Sequence, residues 1–348
     1  MSYLDFYKDK RVLVTGHTGF KGTWLTKMLI KAGAHVIGYA LAPNTTPSLF
    51  ELSEVNRDLV NLTSVVSDIR NYKSLLDVFT ALKPEIVFHL AAQPIVLTGY
   101  ENPRYTYETN VMGTVNLLEC IRLTDGVKTL VNVTTDKVYE NPESGAAFVE
   151  TDRLNGFDPY SNSKSCSELV TECYYNSYLK KKGVNVVTMR AGNVIGGGDY
   201  SPNRIVPDCV RAATIGDKIV IRNPNAIRPF QHVLEPLSAY LLAGSKTYDD
   251  IQHFNIGPDG RDCITTKELA EIFCKYWVGA EYVVRRDSDA PHEAGLLRLN
   301  CYKIQKELGW RPTWNVETAI AKVCEFHKSR NIPEIMDKQI DEFLKEGN

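Results

Sequence analysis

Two ionisable residues stand side by side where an apolar segment of the chain ends. The segment Leu130–Val133 has the apolar character of a buried strand, and Thr134-Thr135-Asp136-Lys137 follows it directly. Open parallel sheets bind ligands beyond the carboxyl ends of their strands, where an acid and a base can exchange protons with a substrate. We therefore predict that Thr135 contacts a substrate hydroxyl and that Asp136 and Lys137 act as acid and base. The alternative is a turn with an aspartate cap and a solvated lysine.

A tyrosine and a lysine form a second candidate pair. Tyr160 and Lys164, in "YSNSK", lie at the start of a predicted helix, and residues four apart share a helical face. A nearby ammonium favours the phenolate, so Lys164 is expected to lower the pKa of Tyr160 and let it remove a hydroxyl proton. Lys164 could also hold the ribose of a nicotinamide cofactor.

A glycine loop follows the first predicted strand, "VLV", and opens a helix. Glycines let the backbone approach a pyrophosphate, and the helix N-terminus offers it free N–H groups. The spacing is GxxGxxG, and an ordinary glycine turn is the alternative. The predicted cofactor contacts here are Gly16, Thr18, Gly19, Phe20, Lys21 and Gly22.

The second strand does not reveal which dinucleotide binds. A ribose-binding acid is expected at its end, but "VIGYALAPNTT" contains no Asp, Glu or Arg, so NAD is not separated from NADP. Asp68, followed by Ile69, closes the third strand and could bind the adenine edge. Its alternative role is the N-cap of the next helix.

Strand-length apolar segments alternate with helix-length segments over the first half of the chain. Strands that are apolar on both faces suit an α/β fold with a Rossmann-like, doubly wound parallel sheet. After about Gly196 the pattern loosens and Gly and Pro become frequent, as in a smaller C-terminal α/β substrate lobe. We predict a dinucleotide-binding domain over residues 1–195 and a mainly nucleotide-sugar-binding domain over 196–348. Segments around 230–258 are expected to cross back.

Composition excludes several classes of function. The 348 residues carry a formal net charge of −2 and no long basic run, so neither nucleic acid nor a membrane surface is an expected partner. The N-terminus lacks the pattern of a signal peptide. None of the eight cysteines forms a CxxC pair, so we expect no metal site and reduced thiols in a cytoplasmic protein.

Several motifs together resemble the extended short-chain dehydrogenase/reductase superfamily and, within it, the CDP-glucose 4,6-dehydratase family. They are "VTGHTGFKGTWL", "HLAAQPIV", "TNVMGTVNLLE", the strand-end "TTDK", "DPYSNSKSCSELV", "RAGNVIGGGD" and "IRNPNAIRPFQHVLEPLSAYL". The resemblance spans nearly the whole chain. It implies a Rossmann domain with a small nucleotide-sugar domain and a tightly held NAD, with Leu90, Ala91 and Ala92 among its contacts.

The resemblance also implies a reaction in three stages. Tyr160 deprotonates the sugar 4-hydroxyl while C4 gives a hydride to NAD, water is then eliminated across C5 and C6, and the hydride finally returns to C6. The family pattern assigns Asp136 as the acid toward the 6-hydroxyl and Lys137 as the C5 base. The implied activity is that of a hydro-lyase converting CDP-glucose to CDP-4-keto-6-deoxyglucose.

Substrate contacts carry over from the same motifs. They are Gln93 and Tyr100 at the sugar, Asn193, Arg204 and Arg228 at the diphosphate, Arg222 and Asn223 near the base, and His292 beside the ligand. The segments "GGGDY" and "RPFQ" carry Tyr and Phe where the family often has Trp. The exact substrate therefore stays open.

Two other functions fit the sequence. One is a dehydratase or epimerase for another nucleotide sugar, with dTDP, GDP or UDP. The other is a catalytically silent dinucleotide-binding scaffold. We also expect a homodimer or a dimer of dimers, because helices near Tyr105–Leu123 and Pro159–Lys182 have more apolar residues than one core-facing stripe needs.

Overall fold

A seven-stranded parallel sheet forms the centre of the molecule. The computed structural model describes residues 3–142, 145–285 and 297–347. The strands of the described residues, inside and outside this sheet, are β1 Arg11–Thr15, β2 His35–Ala40, β3 Leu62–Val66, β4 Ile86–His89, β5 Thr129–Val133, β6 Asn185–Ala191, β7 Val194–Ile195, β8 Ile219–Ile221, β9 Ile227–Pro229, β10 Gln231–His232, β11 Gln252–Ile256, β12 Cys263–Thr265 and β13 Tyr282–Val284. The strand order of the large sheet is β11-β6-β5-β4-β1-β2-β3.

Helices cover both faces of this sheet. The α-helices are α1 Phe20–Lys31, α2 Leu49–Leu52, α3 Tyr72–Leu82, α4 Val96–Glu101, α5 Pro103–Tyr107, α6 Gly113–Leu123, α7 Pro159–Tyr174, α8 Ile205–Ile215, α9 Leu234–Gly244, α10 Thr266–Tyr276, α11 Tyr302–Leu308, α12 Val316–Lys328 and α13 Ile332–Glu346. A π-helical turn, Glu108–Met112, connects α5 to α6, and another, Tyr175–Leu179, extends α7.

The alternation of side chains along the strands divides the core of the sheet into two layers. Val12 and Val131 pack into one apolar cluster with α1, α9 and α13, whereas Leu13 and Leu130 pack into a second with α3 and α6. Each of these strands is therefore buried on both faces, as parallel sheets require. This confirms the predicted Rossmann-like, doubly wound fold with a smaller C-terminal α/β lobe.

The C-terminal lobe is built from short strand pairs and helices. The strand pairs β8–β13 and β9–β12 pack with α8, α10 and α12 around a third apolar cluster. Between these elements the chain returns to the large sheet, because α9 packs over β5 and β6 and β11 pairs with β6. No helix in the three described stretches is long and apolar enough to cross a membrane.

A buried carboxyl joins α9 to the segment before α12. Glu235 has no exposed surface, and its oxygens accept N–H bonds from Thr313 at 3.1 Å and Trp314 at 2.6 Å. Burial raises the pKa of Glu235 to about 7, against the opposing effect of those two N–H groups. The folded chain therefore keeps a proton here at pH values where the unfolded chain has released it.

Replacing Glu235 with glutamine should alter the pH dependence of stability. Because the folded pKa is raised, the contribution of Glu235 to the unfolding free energy is present below the unfolded pKa and falls as pH rises toward 7. The Glu235→Gln variant lacks this fall, so its stability relative to the parent should increase by on the order of 2–3 kcal/mol across that window. Urea unfolding between about pH 5 and 8 measures it. Parallel curves for the two proteins would contradict the assignment.

Candidate active site

The predicted acid–base pair lies at the carboxyl end of β5, in the middle of the sheet edge. Asp136 is 1% exposed, and its Oδ1 accepts a hydrogen bond from the Thr135 hydroxyl at 2.9 Å. Lys137 Nζ lies 4.0 Å from the same oxygen. The other carboxylate oxygen, Oδ2, is buried and has no hydrogen-bond partner in the described parts of the chain. A buried carboxylate oxygen without a partner is costly, so this atom is suited to a hydroxyl brought by a ligand.

Helix α7 brings Tyr160 and Lys164 to the same place. Asp158 caps the helix by accepting the Ser161 N–H at 3.0 Å, and Pro159 fills the first helical position. The side chain of Thr135 acts on the Tyr160 phenol, whose pKa it lowers, and Lys164 Nζ donates to the carbonyl oxygen of Val133 at 3.0 Å. The tyrosine predicted as base therefore lies near the residue that precedes Asp136.

The protonation of this pair differs from the sequence expectation. Burial raises the pKa of Tyr160 to about 12, which outweighs the lowering effects of Thr135 and Arg204. Burial and the neighbouring Lys21 lower the pKa of Lys164 to about 7. The expectation that Lys164 lowers the pKa of Tyr160 is therefore wrong for the chain alone. Both side chains are desolvated, and Lys164 donates a hydrogen bond to the backbone carbonyl of Val133.

The glycine loop is folded so tightly that side chains would not fit. Gly16 has φ +77°, and a Cβ there would lie 2.9 Å from the amide nitrogen of Ala91. A Cβ at Gly22 would lie 2.0 Å from the Gly16 carbonyl oxygen. Gly19 caps α1 without a side-chain hydrogen bond, which leaves the first N–H groups of the helix open. This cradle fits a pyrophosphate.

Other predicted cofactor residues surround this loop. The Thr18 hydroxyl donates to the carbonyl oxygen of Leu41 at 2.8 Å, and the ring of Phe20 packs against Gly196. The N–H groups of Leu90 and Ala91 donate to Thr15 Oγ1, each at 3.1 Å. These contacts hold the ends of β1 and β4 together, and Ala92 continues the same loop.

Substitution of Gly16 provides a test of the cradle. Gly16→Ala should weaken dinucleotide binding at least about tenfold, roughly 1.4 kcal/mol, because the new methyl group pushes the loop off β4. Gly216 is a matched control, since it has the same φ of +77° with nothing within 4 Å of its Cβ position. Fluorescence titration with NADH measures both variants. Equal loss of affinity in Gly216→Ala would attribute the effect to backbone strain instead.

At the end of β3, Asp68 is held by an arginine. Its carboxylate accepts hydrogen bonds from Arg70 Nη2 at 2.7 Å and Nε at 3.0 Å, and these bonds lower the pKa of Asp68. The alternative role of Asp68 as an N-cap is wrong, because Asn71 caps α3 through the Ser74 N–H. Ile69 is buried against Gly113, where a Cβ would meet its Cγ2 at 2.7 Å.

Lys21, Asp199 and Arg204 form a cluster of charges near Asp136, and the sequence patterns did not predict that these three residues come together. Arg204 Nη1 lies 3.0 Å from Asp199 Oδ2, and both interact with Lys21. Burial and Arg204 lower the pKa of Lys21 to about 8, while Asp136 and Asp199 act in the opposite direction. The glycine loop predicts Lys21 as a cofactor contact, yet its amine also belongs to the surroundings of Asp136. Asp199 is the last residue of the motif "RAGNVIGGGD", and the sequence pattern predicts no role for it.

Gln93 and Tyr100, both predicted at the sugar, differ in whether their side chains are free to contact a ligand. The side-chain amide of Gln93 is already used, since Nε2 donates to Thr106 at 2.9 Å and Oε1 accepts from the Ile95 N–H at 2.6 Å. Gln93 therefore holds the loop after β4. Tyr100 is 36% exposed and adjoins Gly99, which packs on the backbone of Tyr160.

The remaining predicted contacts come from the second half of the chain. Asn193 follows β6 and is partly exposed, and its carbonyl oxygen accepts the Gln231 N–H at 3.0 Å. Arg228 on β9 is only 4% exposed, whereas Arg222 and Asn223 are exposed in the turn before it. His292 lies outside the described residues. The geometry thus brings Thr135, Asp136, Tyr160 and Arg204 together and leaves Arg222 and Asn223 without a contact to them.

Comparison with known proteins is consistent with this arrangement. The profile of the GDP-mannose 4,6 dehydratase family matches residues 13–323. The chain is 43% identical to the CDP-glucose 4,6-dehydratase of Salmonella typhimurium over 93% of its own length and 92% of that protein. It is 25% identical to the CDP-paratose 2-epimerase of Salmonella typhi over 92% of this chain and 99% of that one.

Solved structures share the fold. The Thermus thermophilus UDP-glucose 4-epimerase, in complex with NAD, aligns with a TM-score of 0.80 at 25% identity, covering 92% of this chain and 99% of that one. The dTDP-glucose 4,6-dehydratase of Bacillus anthracis aligns with a TM-score of 0.77 at 24% identity over 94% and 99%.

Proposed function

The chain belongs to the CDP-glucose 4,6-dehydratase family, within the wider GDP-mannose 4,6-dehydratase family, and from that premise we propose that it is an NAD-dependent hydro-lyase acting on CDP-glucose. The product is CDP-4-keto-6-deoxyglucose. The observation that carries this proposal is the pairing of Asp136 and Lys137 beside Tyr160, with an unpartnered oxygen on Asp136. Oxidation at C4 needs the tyrosine as its only proton-transfer group, whereas loss of water needs a further acid and base.

The glycine cradle and the neighbouring strand ends fit NAD. When bound, NAD supplies reversible oxidation, because it takes two electrons from the sugar and returns them later in the same turnover. Backbone N–H groups at the start of α1 would hold its pyrophosphate. The residues that would hold the cofactor are Gly16, Thr18, Gly19, Phe20, Lys21, Gly22, Asp68, Ile69, Leu90, Ala91, Ala92, Tyr160 and Lys164.

Tyr160 removes the proton of the hexose 4-hydroxyl. To do so it must lose its own proton, against the desolvation that raises its pKa in the chain alone. Positive charge brought next to the phenol offsets this, and Arg204 already acts in that direction. The hydroxyl of Thr135 orients the same sugar oxygen.

Asp136 and Lys137 carry out the elimination. With a ketone at C4, the C5 proton becomes acidic, and Lys137 removes it as a neutral amine. Asp136 donates a proton to the 6-hydroxyl, which leaves as water. The C5 electron pair forms the new C5–C6 double bond as the C6–O bond breaks. Lys137 has then gained one proton and Asp136 has lost one, so the net charge of the two residues is unchanged. Asn193, Arg204 and Arg228 bind the diphosphate, where a planar guanidinium suits two oxygens.

Incubation with four nucleotide hexoses tests the proposal. CDP-, dTDP-, UDP- and GDP-glucose are each mixed with purified protein, and mass spectrometry detects loss of one water. We expect CDP-glucose to be dehydrated fastest. A product of unchanged mass with inverted configuration would identify an epimerase instead, and dehydration of another nucleotide alone would transfer the proposal to that substrate.

We further propose a cytoplasmic homodimer formed by α6 and α7. Met112 in the π-helical turn before α6, Leu169 on α7 and Tyr178 in the π-helical turn after α7 are 51%, 53% and 45% exposed. These apolar side chains remain outside the core of one subunit and could be covered by a second. All eight cysteines are free, which suits a reducing compartment. Light scattering during gel filtration tests the dimer, and a monomer at working concentration would contradict it.

A further inference from the structure

A buried ion pair lies behind the catalytic residues. Glu168 on α7 is 1% exposed and Arg190 on β6 is 2% exposed. Arg190 Nη2 donates to Glu168 Oε2 at 2.9 Å and Nε donates to Oε1 at 3.0 Å, a two-pronged contact. Burial by itself raises the pKa of Glu168, but Arg190 and His253 hold the pKa well below its ordinary value. Both groups are therefore charged where water cannot reach them.

The ion pair of Glu168 and Arg190 contacts the segment that carries Asp136 and Lys137 at both of its ends. Before the two residues, the Thr134 hydroxyl donates to Glu168 Oε1. After them, Arg190 Nη1 donates to the Tyr139 hydroxyl at 2.8 Å, and the guanidinium carbon lies 5.1 Å from the centroid of the Tyr139 ring.

The same helix face holds Tyr160. Lys164 and Glu168 lie four and eight residues after Tyr160, so all three side chains share one face of α7. Lys164 bonds the carbonyl oxygen of Val133 at 3.0 Å, and Ser165 bonds that of Val138 at 2.7 Å. The distance from the phenol to the acid–base pair is thus set by contacts between α7 and the segment 133–139.

Further hydrogen bonds complete the network. Thr188 Oγ1 donates to Glu168 Oε2 at 2.6 Å, and His253 Nδ1 lies 3.4 Å from the same oxygen. The Tyr139 hydroxyl donates to Asn255 Oδ1 at 2.6 Å. Arg190 also donates to the carbonyl oxygen of Glu150 at 2.8 Å. With every polar atom of the pair occupied, the ion pair has one low-energy arrangement.

We propose that Glu168, Arg190 and Tyr139 are positioning residues for the elimination step, which fix Asp136 and Lys137 relative to Tyr160. This inference rests on the proposed function. None of the three touches the site where the sugar would bind, so their effect is transmitted through the segment 134–139. Displacement of a reacting group by about 1 Å costs on the order of 100-fold in rate. Oxidation at C4 depends on Tyr160, which lies on α7, and uses only Thr135 from this segment, so it should be less sensitive to displacement of Asp136 and Lys137.

The test separates oxidation from elimination within one turnover. Protein, NAD and CDP-glucose are mixed and quenched with borodeuteride, which labels any ketone and distinguishes by mass a sugar that has kept its 6-hydroxyl from one that has lost it. The variants are Glu168→Gln and Tyr139→Phe, the latter removing only one hydroxyl. Tyr248→Phe is the matched control, since this partly buried hydroxyl donates to the carbonyl oxygen of Ala243 at 3.2 Å and not to the ion pair.

We expect elimination to slow about 100-fold in Glu168→Gln and about tenfold in Tyr139→Phe, with the labelled 6-hydroxy ketone accumulating in both. Tyr248→Phe should behave like the parent. If oxidation and elimination fall by the same factor, or if Tyr139→Phe dehydrates at the parental rate, the positioning role is refuted. Should Glu168→Gln fail to fold, Tyr139→Phe decides alone. Absence of dehydration in the parent would refute the proposed function itself, and with it this inference.

Discussion

A Lys137→Ala variant should bind NAD and oxidise the sugar, yet release almost no water. Lys137 is the proposed C5 base, and a positioned base of this kind contributes about 100- to 10,000-fold to a proton transfer. Its Nζ lies 4.0 Å from Asp136 in a partly exposed position, so truncation should not disturb the core. The measurement is the ratio of labelled 6-hydroxy ketone to dehydrated product after a borodeuteride quench.

A lysine at the other end of the same strand provides the control. Lys128 precedes β5, is exposed, and lies at the opposite edge of the sheet. Lys128→Ala should keep the parental rate of dehydration. Asp136→Asn should resemble Lys137→Ala, because the amide cannot donate a proton to the leaving hydroxyl. Unimpaired turnover in Lys137→Ala would remove this residue from the mechanism.

A Tyr160→Phe variant should stop the reaction one stage earlier. Without the phenol no group takes the proton of the 4-hydroxyl, and we expect turnover to fall about 1,000-fold. The quench should then find neither labelled ketone, which distinguishes this variant from Lys137→Ala. NADH titration should show that the cofactor still binds, because the glycine cradle is intact.

Tyr107 offers the matched control for this substitution. Tyr107 ends α5, and its hydroxyl donates to Asn162 Oδ1 on α7 at 2.9 Å. Asn162 lies two residues after Tyr160 and therefore on a different face of α7. Tyr107→Phe should retain most of the activity. Accumulation of a 6-hydroxy ketone in Tyr160→Phe would mean that another group serves as the first base.

The parallel sheet and the grouping of strand-end residues could be predicted because they follow from local patterns. Apolar strands predicted the doubly wound sheet, and the sheet in turn placed "TTDK" and the glycine loop at one edge. The four-residue spacing of Tyr160 and Lys164 was enough to put both on one helical face. The roles of these residues and the division into two domains remain predictions.

Long-range contacts could not be predicted in the same way. The lowered pKa of Lys164 depends on burial and on Lys21, more than 140 residues earlier in the chain. The pairing of Arg204 with Asp199 depends on a loop whose path no periodicity fixes. The position of Glu168 on the same helical face as Tyr160 and Lys164 could have been predicted, because it follows Lys164 by four more residues.

The return of the chain to its sheet has a consequence for synthesis on the ribosome. Strand β6 pairs with β11 from Val187 opposite Gln252 to Ala191 opposite Ile256, and α9 covers β5 and β6 from one side. A nascent chain that has emerged only as far as residue 195 therefore has an unpaired outer strand and a bare apolar face, both prone to aggregate. The sheet can be completed only after about 60 further residues have been translated. Truncation at that point should yield an insoluble fragment and not an independent nucleotide-binding module.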